Sequence, residues 1–158
     1  YVLTPVNIDA IALTRQVLSQ LSPFCKGKNI QTKIMIDGNP SSPKDKLMVL
    51  GEELLCYSML SNLLKNALEA SPSDATVSIN MEQFMDQALI SIHNQGIVPD
   101  EIRDIFFDKL STAGKKSGTG IGTYSAQLMA KTMNGHIEMQ TSHESGTYLK
   151  IYLPVGRE

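Results

Sequence analysis

The hydrophobic rhythm of this chain changes at Pro72, and the change limits what it can fold into. Before it, Leu60, Leu63, Leu64, Ala67 and Leu68 recur with helical spacing; after it, Val77, Ile79 and Met81 alternate with Ser78 and Asn80. Ala88, Ile90 and Ile92 then alternate with Leu89, Ser91 and His93, with Asp86-Gln87 in the link between the two runs. That is a hairpin with one apolar face beside a helix with one apolar side. Strands of this kind need a cover on one face only, so the pattern predicts an α/β two-layer sandwich: a mixed, mainly antiparallel sheet with helices on one face.

A chain of 158 residues, 42% hydrophobic and 19% charged, suits one domain with one core, so a single domain over 1–158 is expected. It begins at Tyr1 within sequence that reads as ordered, as a piece of a longer protein would. A formal charge of -2, with Lys and Arg scattered apart from Lys115-Lys116, leaves no basic footprint for nucleic acid. Cys25 and Cys56 form no C-x-x-C pair and sit in apolar helical settings, as buried thiols in a reducing compartment do. No apolar run approaches the roughly 20 residues that span a bilayer, so no membrane contact by this domain is expected.

Along the chain, Asn7 or Asp9 is placed to cap a first helix with Ile8, Ile11, Leu18 and Leu21 on one face, stopping near Pro23 to Lys28. Ile30 and Lys33 to Ile36 read as a strand, closed by the turn-rich run from Asp37 to Pro43, and Leu47 to Leu50 as a short second one. Gly51-Glu52-Glu53 leads into the long helix that ends before Pro72. Pro99 is expected to start a helix to about Phe107. Ile121, Tyr124, Leu128, Met129 and Met133 mark another helix, stopped by Asn134-Gly135, and two last strands lie near His136 to Gln140 and Thr147 to Leu153.

Three stretches carry chemistry. At about 100° per residue, Asn62, Lys65, Asn66 and Glu69 share one face of the long helix, opposite its leucines. Amides are middling helix formers, and two of them four apart suit either a solvated face or a ligand that wants amide oxygens. The second stretch is Gly118-Thr119-Gly120-Ile121-Gly122-Thr123, at the start of a helix, where free N–H groups and the helix dipole attract a phosphate. It lacks the G-K-[ST] ending of a Walker A loop and does not open a parallel βαβ unit, which disfavours a dinucleotide fold. The third is the polar loop before it, in which Lys109, Lys115 and Lys116 can meet the negative charge of a polyphosphate. His93, His136 and His143 have no partners spaced as in a metal site or triad, and Ser58, Ser61 and Ser125 lack a nucleophile-elbow context.

Taken in order, these stretches resemble the catalytic ATP-binding domain of sensor histidine kinases, in the superfamily shared with gyrase and MutL. Asn62 to Ala70 resembles its N box; Asn94-Gln95-Gly96 with Val98-Pro99 its first glycine box; Ile105 to Leu110 its F box; Gly118 to Thr123 its second glycine box; and Gly146-Thr147 its closing Gly-Thr. The resemblance implies a Bergerat-type fold that encloses ATP. In it Asn66 supplies an amide oxygen to Mg²⁺ and Asn62 shares the site. Asn94 faces the adenine amine, Gly96 leaves room for the base, and Thr147 backs the adenine end. Gly118, Thr119, Gly120, Ile121 and Gly122 take the phosphates, with Lys115 or Lys116 reaching the γ-phosphate and Lys109 nearby. Catalysis is thus expected to rest on Asn62, Asn66 and Lys115.

Departures from the family pattern are informative. Hydrolysing members place Glu one turn before the metal-binding Asn; this chain has Asn62, a poor base, which suits a kinase that spares ATP for a protein histidine. Asn94 replaces the usual Asp, and Val98 the second Gly of that box. An amide accepts through its oxygen but donates equally well, which bears on base selectivity. Leu110 replaces the second aromatic of the F box and Thr123 stands where Leu is commoner. No phosphoacceptor segment resembling H-E-x-R-T-P is present, so the chain is not expected to autophosphorylate alone. The implied partners are a histidine-bearing dimerisation domain of the same protein and a downstream response regulator, in a cytoplasmic setting under a parent that a membrane anchor can hold. Two alternatives stand beside this reading: a serine/threonine protein kinase of the anti-sigma-factor type, and a degenerate nucleotide-binding module without phosphotransfer.

Overall fold

The computed structural model describes residues 2–108 and 121–158. Its elements are β1 (Val6–Asp9), α1 (Ala10–Gln20), α2 (Ser22–Lys28), β2 (Gln31–Ile36), β3 (Asn39–Pro40), β4 (Met48–Gly51), α3 (Glu53–Ala70), β5 (Thr76–Phe84), β6 (Gln87–Asn94), α4 (Ile121–Thr132), β7 (His136–Ser142) and β8 (Gly146–Pro154). Six strands form one sheet in the order β3-β2-β5-β6-β8-β7, and β1 pairs with β4 in a separate two-stranded ribbon. Only β2 and β5 run parallel; the other described pairings are antiparallel. This is the mixed, mainly antiparallel sheet that the alternation predicts.

The sheet's inner columns follow from period 2. Val77, Ile79 and Met81 on β5, Ala88, Ile90 and Ile92 on β6, and Leu149 and Ile151 on β8 are all fully buried. Against them α3 lays Cys56, Met59, Leu60, Leu63, Leu64, Ala67 and Leu68, each likewise at 0% exposure. Burial of this order, at roughly 25 cal/mol per Å² of apolar surface, is the main force joining helix and sheet. Ala126 and Ala130, with Met133 in the turn just after the helix, bring α4 into the same core. The outer edge of β7 is covered by a side chain rather than a strand. Gln127 on α4 donates through Nε2 to Ile137 O at 2.8 Å and accepts from Ile137 N–H at 2.9 Å, doing for one residue what a neighbouring strand would.

Three expectations change. Ile8 belongs to a strand, because Val6–Asp9 pairs with Met48–Gly51, and the helix starts only at Ala10. Its cap is Asp9, whose Oδ1 accepts from Ile11 N–H at 3.1 Å; Asn7 instead accepts from Arg157 N–H at 2.8 Å and ties down the far end of the chain. Pro23 does not stop a helix but lies in the first turn of α2, where a missing N–H costs nothing. From Pro99 there is only a 3₁₀ turn, Asp100–Ile102, followed by turns through Phe107; so short a run does not sustain a helical nucleus by itself.

The C-terminal end of α3 is held from outside. Lys28, the last residue of α2, donates through Nζ to Leu68 O (3.2 Å), Glu69 O (3.0 Å) and Ser71 O (2.9 Å), and the same ammonium lies 5.7 Å from the centre of the Phe24 ring. Ser71 Oγ adds a bond to Ala67 O at 2.7 Å. The carbonyls that any helix leaves over at its end are thereby matched with a cation, which also suits the helix dipole.

Candidate functional site

The buried column of β6, Ala88-Ile90-Ile92, continues into Asn94. Period 2 sends this carboxamide to the helix-facing side of the sheet, where it is 2% exposed beside its ladder partner Thr147 on β8. Its Nδ2 has no hydrogen-bond partner among the described residues. Buried polar atoms are nearly always paired, so an orphan at the end of an apolar column marks a place where something else supplies the partner.

Around Asn94 the chain is bound to itself. Val98 N–H donates to Thr141 Oγ1 at 3.0 Å, the Thr141 and Thr147 hydroxyls are 2.9 Å apart, and Thr147 Oγ1 donates to Gly96 O at 2.8 Å. Because Thr147 spends its proton on Gly96, Thr141 must be the donor between the two hydroxyls. The relay therefore runs one way, from Val98 through Thr141 and Thr147 to Gly96, and pins the loop after β6 onto β7 and β8. Backbone approaches are equally close. A Cβ at Gly96 would collide with Ala70 O at the end of α3, and one at Gly146, where φ is +81°, would collide with Asn94 O. The room at Gly96 is thus taken by the α3 terminus, a packing demand that the family resemblance alone does not convey. Lys28, by holding that terminus, sets where Ala70 O meets Gly96.

At the other end, Asn62 and Asn66 lie half-buried on the polar face of α3, with Lys65 exposed between them. Neither carboxamide is hydrogen-bonded to a described residue. Gly122, in the first turn of α4, stands against Asn62: a Cβ there would lie 4.0 Å from Asn62 Cβ. Thr123, next in the helix and 5% exposed, donates through Oγ1 to Phe106 O at 2.9 Å, which fastens the segment before residue 109 to the start of α4. Phe106 and Phe107 pack edge to face, 5.0 Å apart.

The structure therefore gathers Asn94, Gly96 and Thr147 at one end, and Asn62 and Gly122 at the other, with Asn66 one turn along α3. Lys109, Lys115, Lys116, Gly118, Thr119 and Gly120 lie outside the described residues, and Ile121 opens α4. Sequence reasoning did not find Thr141, Lys28 or the Ala70 carbonyl. The first two are long-range partners of backbone groups and leave no local pattern. Asn94, by contrast, is visible as the polar residue that ends an apolar period-2 column.

The histidines are engaged elsewhere. His93 Nε2 lies 2.6 Å from Ser145 O, so Nε2 carries the proton, and the ring packs on Tyr148 with centroids 4.5 Å apart. His136 stacks on Tyr152 at 4.6 Å and faces Glu138. Burial pushes the Cys56 thiol up to about 12, with Glu53 adding to the shift, and raises that of Cys25 less. Neither thiol is set up as a nucleophile.

Comparison with known proteins places this geometry. The family described as histidine kinase-, DNA gyrase B-, and HSP90-like ATPase matches residues 51–157. The sensor protein DegM of Bacillus sp. (strain B21-2) is 29% identical over 153 residues, covering 91% of this chain and 37% of DegM, so the chain spans little more than a third of that relative. Among solved structures, the catalytic domain of histidine kinase ThkA superposes with a TM-score of 0.81 at 22% identity, covering 96% of each chain. Full-length ShkA in complex with AMPPNP gives 0.75 at 20% identity, covering 98% of this chain and 31% of that one. At these identities the two structures speak for the fold.

Proposed function

Because the chain belongs to the histidine kinase-, DNA gyrase B- and HSP90-like ATPase family, we propose that it is the catalytic ATP-binding domain of a sensor histidine kinase. Residues 1–158 form one domain of a longer chain. It takes ATP with Mg²⁺ and passes the γ-phosphoryl group to a histidine on a separate dimerisation domain of the same protein, for delivery to a response regulator.

The observation that carries this reading is the Asn94 carboxamide, buried to 2% exposure with an unpartnered Nδ2 at the end of the helix-covered column. A buried donor without a partner costs about 1–3 kcal/mol, which a ligand bringing the missing acceptor recovers. The residues present fit a purine nucleotide: an amide for the edge of the base, a closed backbone floor at Gly96, and the amides of Asn66 and Asn62 one and two turns before the Ala70 end of α3, neither bonded to a described residue. ShkA, which shares the fold, was solved with the ATP analogue AMPPNP.

Asn66, with Asn62 beside it, would hold Mg²⁺ through amide oxygens. Among the described residues no three His, Cys, Asp or Glu side chains cluster as metal ligands, so the ion would arrive with phosphate and water oxygens as most of its shell. Bound Mg²⁺ supplies charge neutralisation at the phosphates. Asn62, an amide where hydrolysing relatives carry Glu, does not take a proton from water, which leaves ATP for the protein acceptor. Lys115, Lys116 and Lys109, with Gly118 to Gly122, are the groups proposed to bind the phosphates and shield them from water.

The test is to mix the chain with a separately prepared histidine-bearing helical domain and γ-labelled ATP. The expected result is acid-labile label on histidine that disappears with Asn66→Ala. Tight ATP binding with no transfer to any supplied histidine domain would instead favour the nucleotide-binding module, a reading supported by Asn94 and Val98 in the first glycine box.

A further inference from the structure

We infer that the base pocket of this chain binds 6-amino and 6-oxo purine nucleotides alike, because Asn94 presents both a donor and an acceptor to position 6 of the ring. The inference rests on the nucleotide-binding reading above and adds to it the class of base.

Its ground is the contrast between Asn94 and everything around it. Thr147 spends its proton on Gly96 O, Thr141 spends its own on Thr147, and Val98 N–H is taken by Thr141. That network is complete without Asn94. Its Nδ2 sits beside Gly96, 3.0 Å from where a Cβ there would lie and across that corner from Ala70 O, and is bonded to no described residue. At 2% exposure, with Nδ2 unpartnered, no described residue dictates which way the amide is turned.

A carboxylate in this place offers acceptors only. A carboxamide offers one acceptor and one donor, and a half-turn about its last bond exchanges them. Adenine presents an N6 amine, a donor, beside N1, an acceptor. Guanine and hypoxanthine, in the same pose, present O6, an acceptor, beside N1–H, a donor. Each pattern is met by one of the two amide orientations, and neither asks any other residue to move. With a carboxylate the adenine amine is still accepted, while O6 meets a negatively charged acceptor and is rejected. Asn94 is therefore the residue that sets base selectivity, and in this chain it sets it broadly.

Titration calorimetry of the chain with Mg²⁺ and either ATP or inosine triphosphate, a 6-oxopurine without the 2-amino group, tests this. The expected result is a Kd ratio within about tenfold for the wild type, and a shift of at least about tenfold towards ATP in Asn94→Asp, the scale of one mismatched base contact. Purine riboside triphosphate, which keeps N1 but has hydrogen at position 6, should bind the wild type more weakly than both; this arm decides the matter if the variant does not fold. A wild-type preference for ATP beyond tenfold, an unchanged ratio in the folded variant, or purine riboside triphosphate binding as well as ATP overturns the inference. If the wild type binds none of the three nucleotides, the nucleotide reading fails and the inference with it, an outcome distinct from ATP bound and inosine triphosphate refused.

Discussion

The two ends of the candidate site are built on opposite principles. Around Asn94 the backbone is locked by a one-way hydroxyl relay, by two glycines that admit no side chain, and by Lys28 acting at a distance on the end of α3. Around Asn62 and Asn66 the helix is locked on its buried side, and neither of these two carboxamides is hydrogen-bonded to a described residue. The base end is organised before anything binds. The proposed metal end would supply amides whose order comes from the ion and phosphates they would hold. In the proposed function, preorganisation of one end would lower the entropy lost on binding, and freedom at the other would leave the phosphates able to change partner.

Perturbations should therefore register as lost stability at the base end and as lost metal dependence at the other. The largest effect is expected from Gly146→Ala, which forces a side chain into a φ of +81° and against Asn94 O: about 3 kcal/mol by chemical denaturation. Lys28→Met keeps the aliphatic stem but strips the cation from Leu68, Glu69 and Ser71 carbonyls; a loss of about 2 kcal/mol is expected, with ATP affinity reduced equally in Mg²⁺ and in EDTA. Equal affinity in that variant would disconnect the α3 terminus from the base end. Thr147→Val leaves Gly96 O and the Thr141 proton without their partners, for about 1.5 kcal/mol.

A perturbation of the shared support should not distinguish the ends. Cys56 lies on the buried face of α3 and its thiol is pushed from 9.0 to about 12 by burial. The folded state thus keeps a proton that the unfolded chain releases: this contribution is intact below pH 9 and is lost progressively as pH rises towards 12. Between pH 9 and 10 it amounts to about 1 kcal/mol. Cys56→Ala should abolish that slope in pH-resolved melts while lowering stability at neutral pH. Smallest in stability is Asn66→Ala, expected within about 0.5 kcal/mol of wild type because the side chain is half-buried and bonded to no described residue. Its effect should appear only as loss of the Mg²⁺-dependent part of ATP affinity. A destabilised Asn66→Ala would erase the contrast.

Local periodicity was enough for the layers. The leucines of α3 and the alternating columns of β5, β6 and β8 were legible because burial on one side imposes a period on the sequence itself. It misread the ends of elements: Ile8 as helix, Pro23 as a stop, and a helix after Pro99. In each case the deciding partner, such as β4 for β1, lies far away in the chain. Of the candidate site, the Asn62–Asn66 face could be read locally and Asn94 through the family resemblance, while Gly118 to Gly120 lie outside the described residues; the hydroxyl relay and the Lys28 clamp could not be read, since Thr141 and Lys28 are ordinary residues until the backbone groups they meet are brought to them.

By itself, then, the sequence determined the two-layer sandwich and the polar face of α3, because each is a matter of residue type at a fixed local spacing; the amide at position 94 in place of a carboxylate was legible only through the family resemblance. Only the tertiary structure decided that the Asn94 amide is buried with its Nδ2 unpartnered among the described residues, that Gly96 is closed by Ala70, and that α2 holds the end of α3. Those facts depend on atoms brought together across 26 to 52 positions of chain, and no local pattern encodes a distance of that kind.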